Sequence, residues 1–211
     1  EFQLLVNSFP VITSDDSIAV EIGDTVSFQI RAYDSNTGDT ISYFMDAMQP
    51  GMDLDNNSGL LSWIPLKSDL GNHIFNLQVR DGHSTTGSTQ ELQIFVYKAP
   101  KFTGDLLTEA FAGLEYAGFI TAEDMYGQKL NNPESIIIES ASFKYFNLSE
   151  YAHHFRWTPR EVDIGNHEMV IRITDEYGFT SLHTHNISVF MNPCIQCDNS
   201  RSGSPADTTT N

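Results

Sequence analysis

Apolar and polar residues alternate along most of this chain. Val26, Phe28, Ile30 and Ala32 are interleaved with Ser27, Gln29 and Arg31, a period of two that turns one face of a β-strand toward a core and the other toward water. Phe75, Leu77 and Val79 repeat the pattern, as do Leu92, Ile94 and Val96, then Met169, Ile171 and Ile173, and lastly Ile187, Val189 and Met191. No segment keeps a helical period over three turns. Between the runs stand "NTGD", "NNSG", "DLGN" and "DGHS", where Gly and Asn accept positive φ and Asp or Asn bonds back to the backbone.

The pattern occurs twice. "WIPLKSDLGNH", Trp63 to His73, returns as "WTPREVDIGNH", Trp157 to His167, and the same 94-residue offset carries Asp81 onto Asp175. Upstream the offset is 90, with Pro10, Gly23, Ala32 and Asp34 falling on Pro100, Gly113, Ala122 and Asp124, so four residues enter between Asp124 and Trp157. Aligning Leu92, Ile94 and Val96 with Ile187, Val189 and Met191 asks for one extra residue in the second hairpin. "EFQLLVNSFPVI" also matches "ELQIFVYKAPKF" at 90 residues, and the chain is therefore expected to start inside the last strand of an earlier copy. A period of this size is that of a whole sandwich domain, far longer than a solenoid unit. The expected division is residues 1–8 as the truncated strand, 9–98 and 99–192 as two β-sandwich repeats of about seven strands each, and 193–211 as a CxxC pair with a flexible polar tail.

The motif has a structural explanation. Trp63 and Trp157 end a strand facing inward, where one large ring fills much of a small core, and the Pro two residues on removes a ladder donor and stops the strand. Asp69 and Asp163 then accept backbone N–H groups in the turn that Gly71 and Gly165 close. A catalytic role for an Asp69–His73 pair would need a nucleophile at repeat-matched spacing, and the sequence offers none.

The order G-D-T-V-S-F-x-I-x-A-x-D, then "GMDLDNNSGLLSWIP", then D-x-G-x-H-x-F-x-L-x-V-x-D-G and a closing alternating strand resembles the dystroglycan-type cadherin-like domains and the closely similar Putative Ig, or bacterial Ig-like, repeats of large surface proteins. The resemblance covers roughly Phe9 to Asn192 and is weaker in the second copy, which has "SFKYFNLSEYAHHFRW" in place of "GMDLDNNSGLLSW". It implies an all-β chain of two tandem Ig/cadherin-like antiparallel β-sandwich domains arranged end to end. It also implies a non-enzymatic extracellular adhesion or spacer module, at the cell surface or in a periplasm, cut from a larger multi-repeat surface or secreted protein and partnered there by other copies of the repeat. The alternative expectation is a pair of glycan- or protein-binding accessory domains of a secreted enzyme. The linkers "VNSFPVI" and "VYKAPKF" lack the acidic D-x-N-D-N cluster with which cadherins clamp calcium between domains.

Charge narrows the partners. Lys+Arg 11 against Asp+Glu 28 gives a net charge of −17, which repels nucleic acid and anionic lipid because both require basic patches. No apolar run is long enough to insert in a membrane. Cys194 and Cys197, in "PCIQC", are a candidate local disulfide and do not fix the compartment. No cofactor is required. A candidate Ca2+ site in the first repeat combines Asp34, Asn36 and Asp39 of "AYDSNTGDTISY" with Asp81, and with Glu21 nearby, since alternate oxygen side chains on a turn suit a hard cation. Its counterpart in the second repeat is expected to be lost, because Lys129 stands where Asp39 was. Tyr116, Tyr126, Tyr145 and Tyr151 are candidate aromatic contacts for a glycan or protein ligand. His183 and His185 would share one face of a strand as exposed polar residues. Asn56, Asn147 and Asn186 begin N-x-S sequons.

Overall fold

The computed structural model describes residues 7–36, 38–83, 86–149 and 153–193; Tyr151, Cys194 and Cys197 lie outside them, as do residues 1–6 of the expected truncated strand. The chain divides into two compact units between Lys98 and Ala99.

Among the described residues each unit contains nine strands in the same order. In the first they are β1 (Val11–Ile12), β2 (Ser17–Glu21), β3 (Val26–Gln29), β4 (Ala32–Tyr33), β5 (Ser42–Met45), β6 (Asp53–Leu54), β7 (Leu60–Trp63), β8 (Gly71–Arg80) and β9 (Ser88–Tyr97). In the second they are β10 (Lys101–Phe102), β11 (Glu109–Phe111), β12 (Tyr116–Phe119), β13 (Ala122–Glu123), β14 (Ile136–Ala141), β15 (Asn147–Leu148), β16 (His154–Trp157), β17 (Gly165–Thr174) and β18 (Thr180–Phe190). The first unit builds a four-stranded sheet β2-β9-β8-β5, a three-stranded sheet β3-β7-β6 and the pair β1-β4; the second builds β11-β18-β17-β14, β12-β16-β15 and β10-β13. The count exceeds seven because the short β1-β4 and β10-β13 pairs form apart from the two main sheets. One pairing in each unit, β2 with β9 and β11 with β18, is parallel; the other pairings are antiparallel.

The alternating residues fill the space between the two main sheets. Val26, Leu61 and Trp63 from the smaller sheet meet Phe75, Leu77, Val79, Leu92, Ile94 and Val96 from the larger in one core, and Tyr116, Phe155 and Trp157 meet Met169, Ile171, Ile173, Ile187 and Val189 in the other. Each fully buried aliphatic or aromatic side chain contributes about 1.5–3 kcal/mol of transfer free energy.

The register corrects the alignment of the last strands. Phe75 pairs with Leu92 in the first repeat and Met169 with His185 in the second; His73 pairs with Ile94 and His167 with Ile187. The second hairpin is therefore one residue shorter, not longer, and His185 takes the place of Leu92. The four extra residues of the second repeat are also located. Ile136 occupies the place of Tyr43, so three stand between Asp124 and β14, and the fourth is the bulge between Ile138 and Ser140.

Candidate cation site and placement of the predicted residues

Both copies of the Trp motif build the same corner. Trp63 and Trp157 are each 2% exposed, and the carbonyls of Pro65 and Pro159 accept the N–H groups of Gly23 and Gly113 at 2.9 and 2.7 Å. The chain then makes a one-turn 3₁₀ segment, Lys67–Asp69 or Glu161–Asp163. Asp69 Oδ2 accepts Leu66 N and Asp163 Oδ2 accepts Arg160 N, both at 2.8 Å. Gly71 and Gly165, at φ +116° and +134°, start the next strand in a conformation that a Cβ would oppose. His73 sits edge-on to Trp63 with ring centroids 5.7 Å apart, and its Nε2 bonds to the backbone carbonyl of Asp69 at 2.7 Å. His167 repeats this contact against Trp157. The imidazoles thus brace the turn through a carbonyl; both Asp carboxylates accept a backbone N–H, and that of Asp163 also accepts the Arg160 guanidinium.

The loop after β4 and the hairpin after β8 meet at one end of the first repeat. Ligand atoms of Asp39, Asp81 and His83 all lie within 4.8 Å of one another. Asp81 is 1% exposed; its Oδ2 accepts Asn7 Nδ2 at 2.6 Å and its Oδ1 accepts His83 N at 2.9 Å. These two donors, the Asn7 amide first and the His83 N–H second, hold its carboxyl below the usual 3.8. His83 Nδ1 stands 3.6 Å from Asp39 Oδ2. Of the four predicted ligands the structure brings Asp39 and Asp81 together and adds His83. Asp34 Oδ1 accepts Asn36 N, and Asn36 Oδ1 accepts Ser8 N, each at 2.8 Å, while Asp34 Oδ2 is buried with no hydrogen-bond partner among the described residues. Glu21 is at the other end of the sheet, paired with Tyr97. A set of two carboxylates and one imidazole suits a borderline ion such as Zn2+ better than Ca2+, which takes six to eight oxygens. In the second repeat Lys129 and Tyr177 replace Asp39 and His83, so this trio is not repeated there.

The predicted aromatic contacts separate. Tyr126 and Tyr145 are exposed, and the Arg160 guanidinium lies over the Tyr145 ring at 5.2 Å. Tyr116 is 4% exposed and is not a surface contact. Its hydroxyl donates to the Leu107 carbonyl and lies 3.2 Å from His185 Nε2, which itself bonds to Leu107 O at 2.8 Å. Burial first, and the charge of Asp105 second, push the Tyr116 phenol up. His185 is likewise buried, while His183 stacks on Phe102 with ring centroids 3.9 Å apart. Neither histidine is the exposed strand residue that its polarity suggested.

The divergent stretch of the second repeat serves its core. Phe143 stacks on Trp157 with centroids 4.1 Å apart, and Phe146 and Phe155 complete the cluster. Phe119 and His154 stack on the outer face of the smaller sheet at 4.7 Å, beside Asn147, Ser149 and Arg156 in an open groove. Sequence reasoning missed this pair because it counted tyrosines.

Residues 9–96 match the family described as Putative Ig domain. The first repeat is an Ig-like domain of that family. Extracellular domains 3–5 of Drosophila OTK share the fold of both Ig-like repeats, with 14% identity over 86% of this chain and 62% of that one and a TM-score of 0.56. Immunoglobulin domains 1–5 of Sidekick-1 match at 12% identity over 88% of this chain and 40% of that one, TM-score 0.53. An endo-fucoidan hydrolase of glycoside hydrolase family 107 aligns at 18% identity with a TM-score of 0.35, and the chain spans 29% of its length. No curated protein matches the sequence. Among the described residues no helix is long and apolar enough to cross a membrane.

Proposed function

We propose that the two Ig-like repeats form a non-catalytic spacer or adhesion segment of a larger secreted or surface protein, working outside the cell or in a periplasm. The observation that supports this most is where the duplicated motif goes. Trp, Pro, Asp, Gly and His of both copies are consumed in identical corners that lock strand to strand, so what is repeated is scaffold. The net charge of −17 keeps such a surface soluble and discourages self-association. The hydrolase likeness is too weak in TM-score to support the accessory-domain alternative.

Single-molecule pulling on the chain tests the spacer reading. Two sandwich units of about 90 residues each release about 30 nm of contour length apiece, and two such steps are expected. A single step, or extension with no resistance, contradicts it. A second reading, ligand binding, is favoured by the stacked Phe119–His154 pair, whose ring face with flanking Asn147, Ser149 and Arg156 suits a sugar. A glycan array on the wild type and on Phe119→Ala separates the two, since this reading expects hits that the variant loses and fails if there are none.

A further inference from the structure

Three of the four residues that lengthen the second repeat lie between Asp124 and β14, in the stretch that contains Asn131, Asn132 and the short 3₁₀ turn Pro133–Ser135. That stretch borders a cavity of about 210 Å³ whose lining includes Asp124, Lys129, Asn131, Asn132, Asp175 and Glu176. The first repeat has no counterpart of this stretch.

The two aspartates of the cavity are each half used. Asp124 Oδ1 accepts Tyr126 N at 2.9 Å and Gln128 N at 2.7 Å. Asp175 Oδ1 accepts Tyr177 N at 3.0 Å and Phe179 N at 2.9 Å. Asp175 is only 6% exposed, and its Oδ2 is sealed from solvent with no hydrogen-bond partner. Its carboxyl is pushed above the usual 3.8, by burial first and also by the charge of Asp124. An ionised carboxylate oxygen shut away from water is costly unless a cation or donor meets it. Lys129 does not supply that cation, since it makes no ion pair with Asp124 or Asp175 among the described residues. The Asn131 and Asn132 amides also line the cavity, Asn132 Oδ1 accepting Glu134 N at 3.1 Å, and an oxygen set of carboxylates and amides is what a hard divalent ion selects over a transition metal.

We propose that this cavity of the second repeat is a Ca2+ site, in which Asp175 and Asp124 give the carboxylate oxygens and the Asn131–Asn132 stretch the neutral ones. The sequence expectation that Lys129 abolishes a cation site in this repeat is then replaced by a site that Lys129 weakens. Binding joins the loop after β13 to the hairpin between β17 and β18, and because the ion meets the folded state only, it raises the stability of that repeat by mass action.

Calorimetric titration of CaCl2 into the full chain tests this, with Asp39→Asn and His83→Ala present throughout to silence the trio of the first repeat. Heat of binding is expected with a dissociation constant of about 0.1–1 mM, the range of extracellular modules. Asp175→Asn, which keeps an acceptor for the Tyr177 and Phe179 N–H groups, is expected to weaken binding at least about tenfold. Lys129→Ala, an exposed change that cannot unfold the repeat, is expected to tighten it about threefold or more by removing a like charge. No heat at 10 mM CaCl2, an Asp175→Asn variant that binds as before, or a Lys129→Ala variant of unchanged affinity each overturns the proposal.

Discussion

Gly59 and His153 occupy the same place in the two repeats and show how much one position can demand. Gly59 N donates to Asp55 O and its carbonyl accepts Ile30 N; His153 N donates to Ser149 O and its carbonyl accepts Ile120 N. Both backbones are left-handed, at φ +74° and +46°. A Cβ on Gly59 would lie 2.8 Å from the Ile30 carbonyl oxygen and 2.9 Å from the Tyr43 ring. In the second repeat Ile136 stands where Tyr43 does, which removes that ring from the side chain's path. Gly59→Ala is expected to destabilise the first repeat by about 2–4 kcal/mol through strain and overpacking, read as a lower urea midpoint. A midpoint within error of the wild type would mean that the left-handed turn is not held as described.

Asp163 carries a pH dependence at the same scale. Its carboxyl lies below 3.8, chiefly through the hydrogen bond from the Arg160 side chain and next through the Arg160 N–H. A depressed folded value means that the charged form stabilises the fold, so the contribution is complete above 3.8 and lost as pH falls through the folded value. Asp163→Ala is expected to cost about 1 kcal/mol at neutral pH and to flatten the acid limb of the second repeat's unfolding below 3.8. An unaltered acid limb would remove this role.

At the scale of elements, alternation revealed the strands, because a strand with one wet face writes its burial directly into the sequence. It did not fix the register of β18. The run Ile187, Val189 and Met191 alternates as well one way as another, and only pairing with β17 decides that Val189, not Met191, matches Val96. The error hid the most unusual pair in the core. At the offset of 90, Tyr116 falls on Val26, a core position, so its burial was legible; His185 in the place of Leu92 was not, because polarity on a strand was taken for exposure. The two polar groups satisfy each other and Leu107 O. Tyr116→Phe is expected to lower the second repeat's stability by about 1 kcal/mol and to leave the first unchanged, measured by two-domain fits to thermal unfolding; a stabilised variant would show the pair to be a liability.

The candidate site was half legible for a related reason. Asp39 and Asp81 come together because β5 runs antiparallel to β8, which sets the loop before β5 beside the turn after β8. His83 was missed because the expectation counted oxygen donors, and in the structure one oxygen each of Asp34 and Asn36 accepts a backbone N–H, from Asn36 and Ser8. The cavity beside Asp175 was not legible at all, since it depends on where three inserted residues fold.

At the scale of the molecule, the central claim is that each Trp motif organises its own core within its own unit. Every buried residue of the first core lies between Val20 and Val96, and every one of the second between Ala110 and Val189. Removing one Trp ring then costs roughly 3–5 kcal/mol in that unit alone. Hydrogen exchange followed by mass spectrometry on Trp63→Ala tests this most directly. Protection is expected to collapse across residues 9–98 and to persist, at wild-type rates, across residues 99–192. Loss of protection in both units, or in neither, would contradict the account.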